Sequence, residues 1–117
     1  MLAYKNRFHG YNSLRYVYKN GQIVRSKYMT LKYSHNPRRK TPRVSVVVSK
    51  KVLKSAVGRN RIRRRIYEQI RHVLPQCPPQ RDIVCIVTSA EVKTIESERL
   101  KQVVLGVFKE ANLYTEV

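Results

Sequence analysis

The chain has 117 residues, with 25 Lys or Arg against 7 Asp or Glu and a net charge of +18. That length suits one domain with a single core and no covalent staples, and solubility alone asks for a net charge of only about 2–8. The surplus points to a polyanionic partner, nucleic acid ahead of an acidic membrane, and it argues against a self-sufficient two-metal nuclease, which needs several converging carboxylates.

Residues 1–117 read as one RNA-binding domain, with a basic and irregular stretch, expected to be flexible, over 1–10. Residues 11–20, YNSLRYVYKN, suit a short helix that places Tyr11, Leu14 and Tyr18 on one face, with Gly21 where a helix stops. Residues 28–33, YMTLKY, alternate as a strand does. The segment 34–42, SHNPRRKTP, with two prolines, reads as an exposed hairpin loop leading to a β-branched strand over 43–50.

Next comes GRNRIRRRIYEQIR, residues 58–71, in which six of fourteen positions are arginine. Ile62, Ile66, Ile70, Val73 and Leu74 keep helical period and span about 120° of the helix, a core-facing stripe. Arg61, Arg64, Arg65 and Arg71 fall on the other side, and Ser55 or Asn60 serves as N-cap. A solvated charged face normally mixes signs, whereas Glu68 is the only acid here. Guanidinium groups bond phosphate oxygens in pairs. The prolines of 75–80 end this helix. Residues 82–89, apolar on both faces, suit a central strand, and 95–113 form a last amphipathic helix.

The order α-β-β-α-β-α makes an α+β fold, an α/β sandwich with a small mixed sheet in which 43–89 is a β–α–β unit beside an antiparallel hairpin. Cys85 reads as a core residue and Cys77 as a free loop thiol. No catalytic constellation, metal-ligand spacing or glycine-rich phosphate loop is present. Eight tyrosines and no tryptophan favour single-strand stacking, with Tyr11, Tyr18 and Tyr33 as candidates to line a groove between the first helix and first strand. The longest apolar run, 83–87, cannot span a bilayer. With neither a lipidation motif nor an apolar signal stretch, the expected location is the cytoplasm.

The segment SVVVSKKVLKSAVGRNRIRRRIYEQIR resembles the signature of the bacterial ribonuclease P protein subunit, in which a valine-rich strand ending in Ser-Lys-Lys precedes a helix opening with Arg-Asn-Arg; here these are Ser49, Lys50 and Lys51, then Arg59, Asn60 and Arg61. The resemblance extends to NRF…LRYVYKNG and to nearly the whole chain. It implies the fold of a ribosomal-protein domain with a left-handed β–α–β crossover. It also implies a ribonucleoprotein whose catalytic RNA, with magnesium ions held mainly by RNA and substrate, removes the 5′ leader of precursor tRNA, one protein serving one RNA. No catalytic residue is then expected in this chain. Carried over, Lys50, Lys51, Lys54, Arg59, Asn60, Arg61, Arg63 and Arg64 meet the catalytic RNA. Tyr11, Leu14, Tyr18, Lys32 and Tyr33 line the leader cleft. Leu14 stands where the family usually has Phe, Lys32 at the family's strand tyrosine, and Tyr67 at a basic position. A ribosomal or general RNA-binding protein is the alternative.

Overall fold

The computed structural model describes residues 4–8 and 11–113, the side chains of 4 and 11–13 excepted. Its elements are α1 (Tyr11–Asn20), β1 (Gln22–Arg25), β2 (Met29–His35), β3 (Arg43–Val48), α2 (Ala56–Val73), β4 (Arg81–Val87) and α3 (Ser97–Glu110), with short 3-10 turns at Tyr4–Asn6, Leu74–Gln76 and Ala90–Lys93.

The strands lie in the order β1-β2-β4-β3, β2 antiparallel to both neighbours and β3 parallel to β4. The α+β class, the mixed sheet and the β3–α2–β4 unit match expectation, and two details are corrected. A fourth strand, β1, pairs with β2, and the hairpin is β1–β2, closed where Ser26 Oγ donates to Met29 O at 2.8 Å. Residues 34–42 are not a hairpin loop: β4 lies between β2 and β3, and the connection crosses over it. The apolar character of both faces of β4 has its cause here, since a central strand is covered on two sides.

Side-chain alternation divides the sheet into two faces. Met29, Leu31, Val44, Val46, Val48, Ile83, Cys85 and Val87 join the main core with Ile62, Ile66 and Ile70 of α2 and Leu100, Val104 and Phe108 of α3. The α2 stripe is therefore where its period predicts. Val84 points the other way and is sealed by α1, whose Val17 is also fully buried. A Cβ at Gly21 would come within 2.5 Å of Val17 O and 3.0 Å of Tyr33 O, so only glycine lets the chain turn from α1 into β1.

At the start of β4, Asp82 is 2% exposed and Arg43 1%. Arg43 donates from Nε to Asp82 Oδ1 at 2.8 Å and from Nη2 to Oδ2 at 2.7 Å. Asn36 Nδ2 donates to the same Oδ2 at 2.9 Å. The Phe8 ring covers the guanidinium 4.7 Å from Cζ. The described part of the N-terminal segment also meets the chain before β3, where Asn6 Nδ2 donates to Pro42 O and Thr41 Oγ1 to Lys5 O.

Cys77 corrects its expectation as a loop thiol. The Leu74–Gln76 turn folds it inward, Sγ donates to Val73 O at 3.7 Å, and burial pushes the thiols of Cys77 and Cys85 up to about 12. Both are free. A thiol reagent at pH 8 should therefore leave both unmodified in the native protein and label both in denaturant. Fast native labelling of Cys77 would mean that the turn opens.

Asp82→Ala strands a buried guanidinium and should cost about 3–5 kcal/mol, whereas Arg43→Met with Asp82→Leu should recover most of that loss. Urea denaturation of the two variants measures the difference.

Candidate nucleic-acid interface

Ser55 resolves the choice of N-cap: its φ of −68° and ψ of 122° lie outside the helix, and its Oγ accepts from Gly58 N at 3.1 Å. Helix α2 therefore begins at Ala56, and its positive dipole end lies beside Lys50, Lys51 and Lys54, all exposed. Asn60, Arg61 and Arg64 are exposed one to two turns on, and Arg63 is half-exposed. Ion pairs form at Arg43–Asp82, Arg71–Glu68 and His72–Glu68. None of the lysines and arginines just named at this end of α2 is in one of these. The Arg71 hydrogen bond is the main reason the Glu68 carboxyl lies below its usual range, so the single acid of the helix is already taken.

Two arginines turn inward. Arg59 Nη1 donates to Leu53 O at 2.9 Å and Lys54 O at 2.7 Å, which ties the 50–54 turn to the first turn of α2. Arg65, expected on the outer face, instead donates to Val92 O and Ile95 O, clamping the segment that leads into α3. Desolvation, then the charge of Arg61, lowers the Arg65 pKa. Tyr67 is half-buried on the other flank. Its Oη accepts from Val46 N at 3.0 Å, capping an outward donor of edge strand β3. With Asn60, Arg63 and Arg64, Tyr67 lines a shallow depression.

A second surface lies on the α1 side of the sheet. Lys32 pairs with Ile23 and Val84, and Val84 with Ser45, so these side chains share one face. Thr30, Val47 and Ile86 extend it, all half-exposed. Lys32 Nζ donates to Tyr18 O at 3.1 Å and lies 5.2 Å from the Tyr18 ring centroid. Tyr18 is 38% exposed, and burial raises its hydroxyl pKa. Leu14, one turn earlier, is half-buried. Leu14, Tyr18 and Lys32 are thus brought together beside an uncovered strip of sheet. Tyr33 is not. Alternation turns it to the opposite face, where it packs against the main core. The Tyr11 side chain lies outside the described residues.

The ribonuclease P family model matches residues 2–112. The ribonuclease P protein component of Pseudanabaena sp. is 36% identical over 93 residues, 80% of either chain. That of Carboxydothermus hydrogenoformans is 38% identical over 73 residues, 62% of either chain. Among solved structures, the RNase P protein of Staphylococcus aureus superposes with a TM-score of 0.82 at 24% identity, covering 94% of this chain and 98% of that one. The RNase P protein of Thermotoga maritima gives 0.77 at 22% identity, covering 89% and 96%.

The two kinds of arginine should separate in one experiment. Arg65→Ala should lower stability by about 1–3 kcal/mol, through loss of charge-assisted hydrogen bonds, and leave the salt dependence of RNA binding unchanged. Arg64→Ala should alter stability by less than about 0.5 kcal/mol and flatten the salt slope by roughly one unit. Urea melts and binding isotherms across a salt series check both.

Proposed function

The chain belongs to the ribonuclease P protein family, and we propose that it engages two RNAs through its two basic surfaces, the catalytic RNA through α2 and the single-stranded 5′ leader of precursor tRNA through the α1 side of the sheet. Membership makes it the protein subunit of the ribonuclease P ribonucleoprotein, an endoribonuclease, with the ribonuclease P RNA as its partner. The observation that carries the division of labour is the uncovered strip of sheet beside Tyr18 and Lys32. It offers a ring and half-exposed Val47 and Ile86 to unpaired bases, and a cation to the backbone. On α2, guanidinium and ammonium groups without acid partners instead suit the phosphates of folded RNA.

The contribution of the protein is electrostatic and positional. Lys50, Lys51, Lys54, Arg61 and Arg64 displace counterions from the catalytic RNA, and Arg59 holds the 50–54 turn that presents the lysines. Tyr18 and Lys32 hold the leader, which fixes the scissile bond relative to the RNA. Magnesium supplies the metal-assisted hydrolysis. No group of three His, Cys, Asp or Glu able to hold it occurs among the described residues, so in this reading the ion sits on RNA. One protein serves each RNA. No helix among the described residues is long and apolar enough to cross a membrane, and the proposed place of action is the cytoplasm.

Protein alone should leave precursor tRNA intact, and protein with ribonuclease P RNA should release the leader at modest magnesium. Cleavage by rigorously RNA-free protein would sink the assignment of chemistry to the RNA. Tyr18→Ala should weaken binding of precursor tRNA to the holoenzyme by roughly five- to 150-fold, the worth of one stacking platform, and spare mature tRNA, while Tyr18→Phe binds normally. Equal losses for both RNAs would remove the leader from this surface.

A further inference from the structure

Side chains two positions apart on a helix point about 200° away from each other, so Tyr16 and Tyr18 occupy opposite flanks of α1. The Tyr18 flank faces the open sheet. Tyr16, 57% exposed, faces the end of the sheet where β2 stops and β4 begins. It walls two adjoining depressions that share Ser34 and His35: one of about 420 Å³ reaching Tyr33 and Arg81, the other of about 430 Å³ reaching Arg38 and Asp82. Both volumes fall in the range of small-ligand sites, about 300–1,000 Å³.

The wall opposite Tyr16 is fixed. Asn36 N donates to Gln80 O at 2.9 Å, and Gln80 Nε2 donates to Pro37 O at 3.3 Å. His35 Nε2 lies 3.1 Å from Gln80 Oε1, and Asn36 is anchored on Asp82. Within this frame, Ser34 Oγ is sealed from bulk solvent and has no hydrogen-bond partner. A sealed atom cannot meet a ligand, so Ser34 lines both depressions without offering them its hydroxyl. The rest of the lining specifies the ligand's chemistry: an exposed phenol ring to stack on, and the guanidinium groups of Arg38 and Arg81 for an anion.

We propose that the outer flank of α1 is a subsite for one unpaired ribonucleotide, its base stacked on Tyr16 and its phosphate beside Arg81 or Arg38. The inference rests on the reading that α1 borders single-stranded RNA and adds a site beyond the leader cleft. The nucleotide has two sources, a leader that bends round α1 past Tyr18 or an unpaired stretch of the catalytic RNA.

The test uses holoenzymes reconstituted with wild-type, Tyr16→Ala, Tyr16→Phe, Ser34→Ala and Tyr18→Ala protein. Each is measured for affinity to precursor tRNA with a single-nucleotide leader and with a leader of about ten nucleotides, and each protein for affinity to the catalytic RNA. Tyr16→Ala should lose roughly five- to 150-fold, and Tyr16→Phe should bind as wild type. Loss confined to the long leader identifies the leader as the source. Loss of catalytic-RNA affinity, independent of leader, identifies the catalytic RNA. Ser34→Ala, whose hydroxyl reaches neither depression, should bind as wild type, while the melting temperature of the free protein stays level or rises because an orphaned hydroxyl has been removed. Wild-type affinity of Tyr16→Ala for all three RNAs would overturn the proposal, as would a Tyr16→Phe defect equal to that of Ala. Tyr18→Ala keeps the two readings apart. If it loses long-leader affinity while Tyr16→Ala binds all three RNAs as wild type, the cleft stands and this subsite fails; if Tyr16→Ala loses affinity while Tyr18→Ala keeps long-leader affinity, this subsite stands and the cleft fails.

Discussion

Arg43 and Asp82 occupy matching positions at the starts of β3 and β4, and the arrangement of the whole sheet depends on their meeting. Asp82 is the only aspartate in the chain. A buried carboxylate without a cation would be prohibitive, and a buried guanidinium likewise. The bidentate contact pairs the two charges, although Arg43 Nη1 stays buried without a partner; an apolar pair of similar volume would stabilise about as well, and what the ion pair adds is register. A slip of one residue in the parallel pairing would set Asp82 against Val44 or Pro42, and it would also turn Val44, Val46 and Val48 away from the core. The same carboxylate accepts from Asn36, and the guanidinium stacks on Phe8. One interaction thus gathers β3, β4, the crossover between β2 and β3, and the N-terminal segment at the end of the sheet that α1 crosses.

The remaining charge is arranged around the scarcity of acids. With 25 cations and 7 carboxylates, structural arginines must find other acceptors, and here they use backbone carbonyls. Arg59 binds the carbonyls of Leu53 and Lys54, and Arg65 binds those of Val92 and Ile95. Neither contact neutralises a charge. Scaffold and surface charge therefore do not compete: the arginines that brace α2 leave its positive field intact. A carboxylate in either bracing position would have weakened the field at the place where phosphates are to be met.

How much of this was legible depended on whether one periodicity decided the matter. The α2 stripe of Ile62, Ile66 and Ile70 was plain because three identical residues recur at i, i+4 and i+8, and all three are fully buried. Strand β4 announced itself as central through apolar residues on both faces. Strand β1 gave no signal, since its two apolar residues, Ile23 and Val24, are adjacent and point to opposite faces. The β1–β2 hairpin was mistaken for a β2–β3 hairpin because prolines at 37 and 42 mark a turn without saying which strands flank it. Tyr33 was misplaced for want of register: once Lys32 faces α1, its neighbour must face the other way. The inward turn of Arg65 depends on carbonyls 27 and 30 residues away, which no local pattern reveals. Resemblance supplied what periodicity lacked, the separation of a helix surface from a cleft surface. It did not foresee that Tyr67 would spend its hydroxyl on the edge of β3.

The two surfaces differ in what they can recognise, and the difference follows from the fold. Helix α2 lies on the sheet by its isoleucine stripe, so beyond the exposed Val57 in its first turn the outer face is mostly polar, and its guanidinium groups, with the nearby lysines, suit phosphates. The opposite sheet face is covered by one ten-residue helix that crosses near one end, which leaves Thr30, Ser45, Val47 and Ile86 half-exposed. Apolar and hydroxyl groups alternating on a pleated surface, beside the Tyr18 ring, suit the flat faces and polar edges of unpaired bases, which a folded RNA hides in its stacks. In the proposed division, one sheet with helices on both faces thereby presents charge to paired RNA and an aromatic-edged strip to unpaired RNA. The partial cover of α1 is what keeps the second surface open: a longer helix would have completed the core and removed the cleft.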